Sequence, residues 1–390
     1  MSTDSATFLL QEELRRMHSL LIRTADECRV PAGQALAVDR DLFSSRVTQA
    51  IGQTPGIRLI REEMPEIPPS GIVILACGPL VSERLAQVLH TWCGEEYLYF
   101  YDAISPIVEA DSLDHRTVFA ASRYGKGGDD YLNCPMNQEE FERFYDALCS
   151  ATTVPFRDCE KPRYFEACLP LEELARRGKE TLLFGPLKPV GLADPRTGRR
   201  PYAVLQLRRE SLIHDAYNLV GCQNHMKFAE QQRVFRLIPG MEQAEFLRFG
   251  QVHRNTFLNA PRLLLPTLQA RRDPRLFFAG QICGVEGYLE SIATGLVAGV
   301  QAAYLFQGGS PEAFSPQTAC GCLCRYVAEA DGDRFQPMNI TFGVLPAPED
   351  SAGKRRQDKR ERRRKQVEGI LMHFDAFQKT YPPLQPDLSR

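Results

Sequence analysis

The stretch FFAGQICGVEGYLES, residues 277–291, constrains this chain more than any other. Its apolar start suits a buried strand, its glycines at 280, 284 and 287 suit a tight turn, and the residues from Gly287 onward suit a helix. Leu289, Ile292, Ala293, Leu296, Val297, Val300, Ala303 and Tyr304 recur at the spacing of a helix with one face on a sheet. A strand that ends in glycine and opens a helix leaves backbone N–H groups that favour an anion such as pyrophosphate. Glycine also serves plain strand-to-helix turns, so the spacing alone leaves both readings standing.

Such a unit needs a neighbouring strand. SGIVILACGPL supplies one, with an unbroken apolar run from Ile72 to Ala76 that ends at Gly78. The run predicts a parallel strand covered on both faces, with Gly78 at the end where a ligand approaches. The fold class is therefore α/β. Between the two strands the texture changes to short strands and loops rich in Pro, Gly and aromatics, which predicts an inserted α+β domain. The expected boundaries are 1–94 and 262–346 for the two parts of the first domain, 95–261 for the insert and 347–390 for a basic tail. At the start, QEELRRMHSLLIRTADECR predicts one amphipathic helix through Leu14, Met17, Leu20 and Leu21.

The formal net charge of −2 over 390 residues excludes a uniformly basic nucleic-acid binder. The charge is uneven, however: KRRQDKRERRRK, residues 354–365, holds nine Lys or Arg in twelve positions, which suggests RNA or else a solvated helix. The opening residues lack a basic leader, and no window approaches about 18 uncharged apolar residues, so a cytoplasmic protein with no membrane attachment is expected. The twelve cysteines should then be reduced. Cys320, Cys322 and Cys324 lack paired CxxC spacing and a nearby His, and no metal is expected there.

Longer blocks carry a resemblance. VPAGQALAVDRDLFSSRVT, GEEYLYFYDAISPIV, SRYGKGGDDYLNCPMNQEEFERFYDAL, YFEACLP, LFGPLKPVGLADPRTGRRPYAVLQLR, VFRLIPGMEQAEFLRFGQVHRNTFLNAP, LFFAGQICGVEGYLESIATGLVAG and FQPMNITFGVLP resemble the TrmFO family, folate- and flavin-dependent tRNA (uracil-5-)-methyltransferases. The resemblance runs from about Leu10 to Pro346. It implies a Rossmann-like FAD-binding domain, N-terminally incomplete here because the family's opening GxGxxG segment and its cysteine have no counterpart, interrupted by an inserted α+β domain. It further implies FAD as cofactor, 5,10-methylenetetrahydrofolate as one-carbon donor, NAD(P)H as reductant and a T-loop uridine of tRNA as substrate. Reduced flavin would carry the methylene and supply the reduction.

Uracil C5 is a poor nucleophile, and addition of a thiolate at C6 activates it. The resemblance places one family cysteine at Cys168 of YFEACLP, with Arg163, Arg176 and Arg177 close in sequence. On the flavin side it implies Gly78, Gly280, Gln281, Gly284, Gly287, Tyr288 and Glu290, with a core role as the alternative for Tyr288 and a helix-dipole role for Glu290. Asn224 and His225 are expected to contact folate or uracil. Arg199, Arg200, Arg208, Arg209 and the tail residues Lys354, Arg355 and Arg356 are expected to hold tRNA phosphates. A catalytically inactive RNA-binding remnant and a related ribosomal-RNA methyltransferase remain open alternatives, as does a homo-oligomer. The related wobble-uridine modification subunit is disfavoured by the short stretch after the basic run.

Overall fold

A computed structural model describes residues 4–32, 35–94, 97–125, 129–155, 169–210, 216–347 and 359–384. The chain divides into two compact units, residues 24–55 with 100–254, and residues 2–23 with 56–99 and 255–390. The division departs from the sequence-derived boundaries at both ends. Residues 24–55 group with the insert, and the carboxyl-terminal residues belong to the unit that carries the glycine turn.

The expected single first helix is two. Helix α1 (Ala6–Arg16) is capped by Ser5, whose side chain accepts from Phe8 N at 3.0 Å, and α2 (Leu20–Glu27) comes after a break. At the break His18 takes a left-handed φ of 55°, which ends the helix although the apolar spacing runs on. Helix α3 (Arg40–Gln53) is capped by Asp39 and has no buried residue. Its segment is joined to the insert by the Tyr131 hydroxyl, which donates to Ala32 O at 3.2 Å, and by an ion pair between Arg40 and Glu210.

Strand β1 (Val73–Leu75) comes next, then α4 (Glu83–Cys93), capped by Ser82 and burying Leu85, Leu89 and Cys93. The insert is a six-stranded antiparallel sheet built from β2 (Ile107–Glu109), β3 (Phe119–Ala120), β4 (Tyr131–Met136), β5 (Ala203–Arg209), β6 (Ala216–Leu219) and β7 (Phe246–Arg248). The spatial order is β7-β2-β6-β5-β4-β3. Helices α5 (Gln138–Cys149), α6 (Leu171–Arg176) and α7 (Phe228–Phe235) join its core, where Phe141, Phe144, Leu205, Leu207 and Phe235 are fully buried. A capping box, Asn137 with Glu140, starts α5.

In the other unit, β8 (Leu276–Phe278) pairs parallel with β1, with Leu276 opposite Val73 and Phe278 opposite Leu75. The three β8 side chains are buried, each a gain of about 1.5–3 kcal/mol, and Trp92 of α4 lies 5.3 Å from the Phe278 ring. β1 is not covered on both faces as its apolar run suggested. Ile74 is 40% exposed, so one face of β1 is open, and among the described residues β1 has β8 as its one partner strand.

Helix α8 (Tyr288–Phe306) packs on both strands and on α1. Contrary to the sequence expectation, it is long and apolar enough to cross a membrane by composition, with Glu290 as its only charge. It is buried along one side only: Glu290, Thr294 and Gln301 are buried, Gln301 Nε2 donates to the Tyr381 hydroxyl at 2.6 Å, and Tyr288 and Phe306 at its two ends are exposed. Helix α9 (Ala319–Glu329) holds Cys320, Cys322 and Cys324, all buried, with burial pushing each thiol up. Helix α10 (Lys359–Thr380) begins in the basic run but is no detached tail. Val367, Ile370 and Phe374 are buried on it, Tyr381 just beyond it is buried too, Gln378 Nε2 donates to Arg16 O at 3.0 Å, and Arg16 pairs with Asp375. Apolar residues at helical spacing, overshadowed by the neighbouring charges, dock the segment.

A glycine-lined turn at the ends of two parallel strands

Parallel strands present ligands beyond their carboxyl ends. There β1 runs on to Gly78 and β8 to Gly280, with Ala279 N donating to Leu75 O at 3.0 Å. Both glycines have positive φ, 68° and 76°. A methyl group built on Gly78 would meet nothing within 4 Å, and one on Gly280 would meet only Ser291, at 3.9 Å. At the carboxyl ends of the two parallel strands this open space leaves room for the close approach of a dinucleotide cofactor, which a side chain at either position would hinder.

Gly284 and Gly287 are glycines for another reason. A methyl group on Gly284 would enter the Phe335 ring, and one on Gly287 would lie 2.7 Å from Asn339 Nδ2 and 2.5 Å from Glu290 Oε2. At both positions glycine is required by internal packing, whatever else the turn borders. The segment 335–341 fills the space beneath the turn: Val285 bridges Met338, Glu286 N donates to Met338 O at 3.0 Å, and Asn339 Nδ2 donates to Glu286 O at 2.8 Å.

Glu290 is 4% exposed. It accepts Ile340 N at 2.9 Å and bonds with Asn339, and burial raises its pKa against those bonds. Its carboxyl group is engaged inside the protein by Ile340 and Asn339. The start of α8 is partly occupied by the protein's own acidic groups. An acidic side chain already stands in the first turn, and Gly287 N donates to Glu286 Oε1 at 3.1 Å. Gly280 N donates to Thr294 Oγ1 at 2.9 Å, so Gly280 offers room and not a donor. Gln281 Nε2 donates to Glu286 Oε1 at 2.9 Å. Tyr288 is 92% exposed, which removes the core-tyrosine alternative. Sequence reasoning missed Glu286 and Asn339. The signal was a polar residue between two glycines and another within the apolar run of PMNITFG.

The remaining expectations fall in the insert. Asn224 is fully buried, with Nδ2 donating to Cys222 O at 3.1 Å and Oδ1 accepting Met226 N at 3.2 Å. Its side chain holds its own loop. His225 is 8% exposed, burial lowers its pKa, and its backbone N–H donates to Glu172 Oε1 at 2.7 Å. Burial pushes Glu172 up to about 7. Arg199 and Arg200 are exposed, and Arg208 and Arg209 half-buried. Cys168, Arg163, Lys354, Arg355 and Arg356 lie outside the described residues.

A late strand, glycine turn and helix, parallel to an early strand and leaving open space at Gly78 and Gly280, define a Rossmann-like dinucleotide-binding protein with an antiparallel α+β insert. The family described as Glucose inhibited division protein A matches residues 2–310. Three relatives bear the name methylenetetrahydrofolate–tRNA-(uracil-5-)-methyltransferase TrmFO. That of Heliobacterium modesticaldum is 57% identical over 343 residues, 88% of this chain and 78% of the relative. That of Koribacter versatilis is 52% identical over 375 residues, covering 96% and 84%, and that of Geobacter sulfurreducens 54% over 377 residues, covering 96% and 86%. Two crystal forms of Aquifex aeolicus GidA share the fold, with TM-scores of 0.65 and 0.59 at 13% and 14% identity. They cover 97% and 90% of this chain, which spans 66% and 61% of theirs. The chain belongs to the TrmFO family.

Proposed function

We propose that this chain transfers a one-carbon unit from methylenetetrahydrofolate to C5 of a uridine in tRNA and delivers it as a methyl group, with FAD as cofactor. The observation that carries this reading is 52–57% identity over 88–96% of the chain to relatives named for that reaction. Bound FAD supplies the reducing equivalents that turn the transferred carbon into methyl, and NAD(P)H is the reductant that recharges it. The chain's own residues bind and orient. Gly78 and Gly280 leave the space for the cofactor, Gln281 borders it, and the exposed Tyr288 ring offers a flat apolar surface beside it.

The nucleophile in this reading is Cys168. A thiolate adding at C6 of uracil makes C5 electron-rich enough to attack the one-carbon donor, and expulsion of the thiolate after loss of the C5 proton restores the ring. The residues just after it in the chain are firmly placed. Leu169 and Leu171 are buried, Leu171 N donates to Gln223 O at 2.8 Å, and Glu172 holds His225 N. The substrate is the T-loop uridine, which has to leave its stack to be reached. Arg199, Arg200 and the basic run from Lys354 hold phosphates, and the enzyme works in the cytoplasm, free of membrane.

Purified protein mixed with FAD, methylenetetrahydrofolate, NADPH and an unmodified tRNA transcript should form 5-methyluridine, and Cys168→Ala should abolish it while leaving the flavin bound. Protein that takes up no FAD and forms no 5-methyluridine would sink the proposal. Methylation by Cys168→Ala would overturn the nucleophile assignment alone.

A further inference from the structure

Glu286 carries a carboxyl group that the proposed reaction does not use. Its Oε1 accepts the Gly287 N–H at 3.1 Å and the Gln281 Nε2 amide at 2.9 Å. An oxygen already accepting one N–H faces Gln281 as an acceptor, so the Gln281 amide has to turn its NH2 toward Glu286. The Gln281 oxygen is then the atom left for a ligand, and it accepts no hydrogen bond among the described residues. Glu286 is itself pinned on both sides of its backbone, by Met338 O at 3.0 Å and Asn339 Nδ2 at 2.8 Å. Gln281 adjoins Gly280, whose open side forms part of the space left for the cofactor.

We propose that Glu286 is a positioning residue that fixes the Gln281 side chain as a hydrogen-bond acceptor for an N–H of the bound flavin. The proposal rests on the flavin site at Gly78 and Gly280. Chemically it makes the turn selective. The pyrimidine half of a flavin carries an imide N–H, which an acceptor at this place recognises and a freely rotating amide would recognise only part of the time. Asn339, through Glu286 O, extends the same support from segment 335–341.

The test is FAD affinity, read by quenching of flavin fluorescence and by the shape of the visible flavin band, for Gln281→Ala, Glu286→Ala, the double variant and Glu286→Gln. Each alanine variant should weaken FAD roughly tenfold, the worth of one ligand hydrogen bond. The double variant should fall no more than about twofold below the weaker single, because Glu286 acts through Gln281. Glu286→Gln, which keeps an accepting oxygen, should stay within about threefold of the parent, and both alanine variants should shift the flavin band alike. Losses that multiply to about a hundredfold in the double variant, or Glu286→Gln behaving as Glu286→Ala, would overturn the proposal. Gly280→Val separates this inference from the site itself. If it leaves FAD affinity unchanged, the site is wrong; if it abolishes binding while Gln281→Ala and Glu286→Ala bind like the parent, only the role of Glu286 falls.

Discussion

Glu13 of α1 accepts the backbone N–H groups of Ala319 and Cys320, at 2.6 and 2.8 Å, and so caps a helix that begins 306 residues further along the chain. The carboxyl group is fully buried, and Thr318 caps the same helix through Gly321 N at 3.0 Å. Two otherwise orphaned amides are satisfied by a side chain from the first helix, which ties the ends of this unit together.

Glu13→Gln keeps the shape but turns an NH2 toward one of the two amides. It should destabilise the unit by about 1–3 kcal/mol, the cost of one unsatisfied buried donor, and Glu13→Ala by more. Chemical denaturation followed by the fluorescence of Trp92, the only tryptophan, reads the loss. An unchanged midpoint for Glu13→Ala would contradict the cap.

The same carboxyl group makes stability depend on pH. Burial raises Glu13 from 4.5 to about 7, against the pull of the two amides. A folded-state pKa above the unfolded value means that the folded protein holds the proton more tightly. Its contribution is present in full below about pH 4.5 and is lost as pH rises toward 7, a total of about 3 kcal/mol. Glu172, also raised to about 7, acts in the same direction, whereas buried His225, with its pKa lowered, opposes them as pH falls. The stability of the parent relative to Glu13→Gln should therefore decline between pH 5 and 7, and parallel profiles would refute the assignment.

The four glycines of the site should separate into two pairs. Gly284→Ala and Gly287→Ala force a methyl group into Phe335 or into Glu290 and Asn339, and should each cost about 2–4 kcal/mol. Gly78→Ala and Gly280→Ala meet open space, and should cost only the backbone strain, about 1–2 kcal/mol at Gly78 with its positive φ and about 1–3 kcal/mol at Gly280 with φ 76° and ψ −161°, while weakening FAD. Melting curves with and without FAD distinguish the pairs.

Arg199→Ala and Arg200→Ala should leave melting unchanged, since both side chains are exposed. Each should weaken tRNA binding and lower the slope of log affinity against log salt by about 0.7–0.9 per lost phosphate contact. Asn224→Ala should do the reverse, costing about 1–3 kcal/mol of stability through its buried loop bonds, with the salt slope intact.

The parallel pair β1 and β8 and the long helix after the glycine turn were legible because unbroken apolar runs and helical spacing are local signals. The break at His18 was not, because the apolar residues keep helical spacing across it. The grouping of residues 24–55 with the insert was hidden too, since α3 buries nothing and its segment is held by contacts such as Tyr131 with Ala32, 99 residues apart. Within the site, all four glycines look alike in sequence. What separates Gly284 and Gly287 from Gly78 and Gly280 is Phe335, Glu290 and Asn339, and two of those three lie some fifty residues downstream. The burial of Asn224 and the exposure of Tyr288 could not be read either, because burial is a property of the neighbours and not of the residue.

The filling of the space under Gly284 and Gly287 by Phe335 and Asn339 makes the cofactor turn a jaw with one fixed half. The Gly280–Gly287 side is wedged from below and cannot recede without displacing an aromatic ring. The opposing lip, around Gly78, is fastened by the bond from Thr256 N to Pro79 O at 2.9 Å, with Ala76 and Leu80 exposed beside it. The two sides of the turn are therefore held by different means, one by an aromatic ring packed beneath it and the other by a single backbone hydrogen bond.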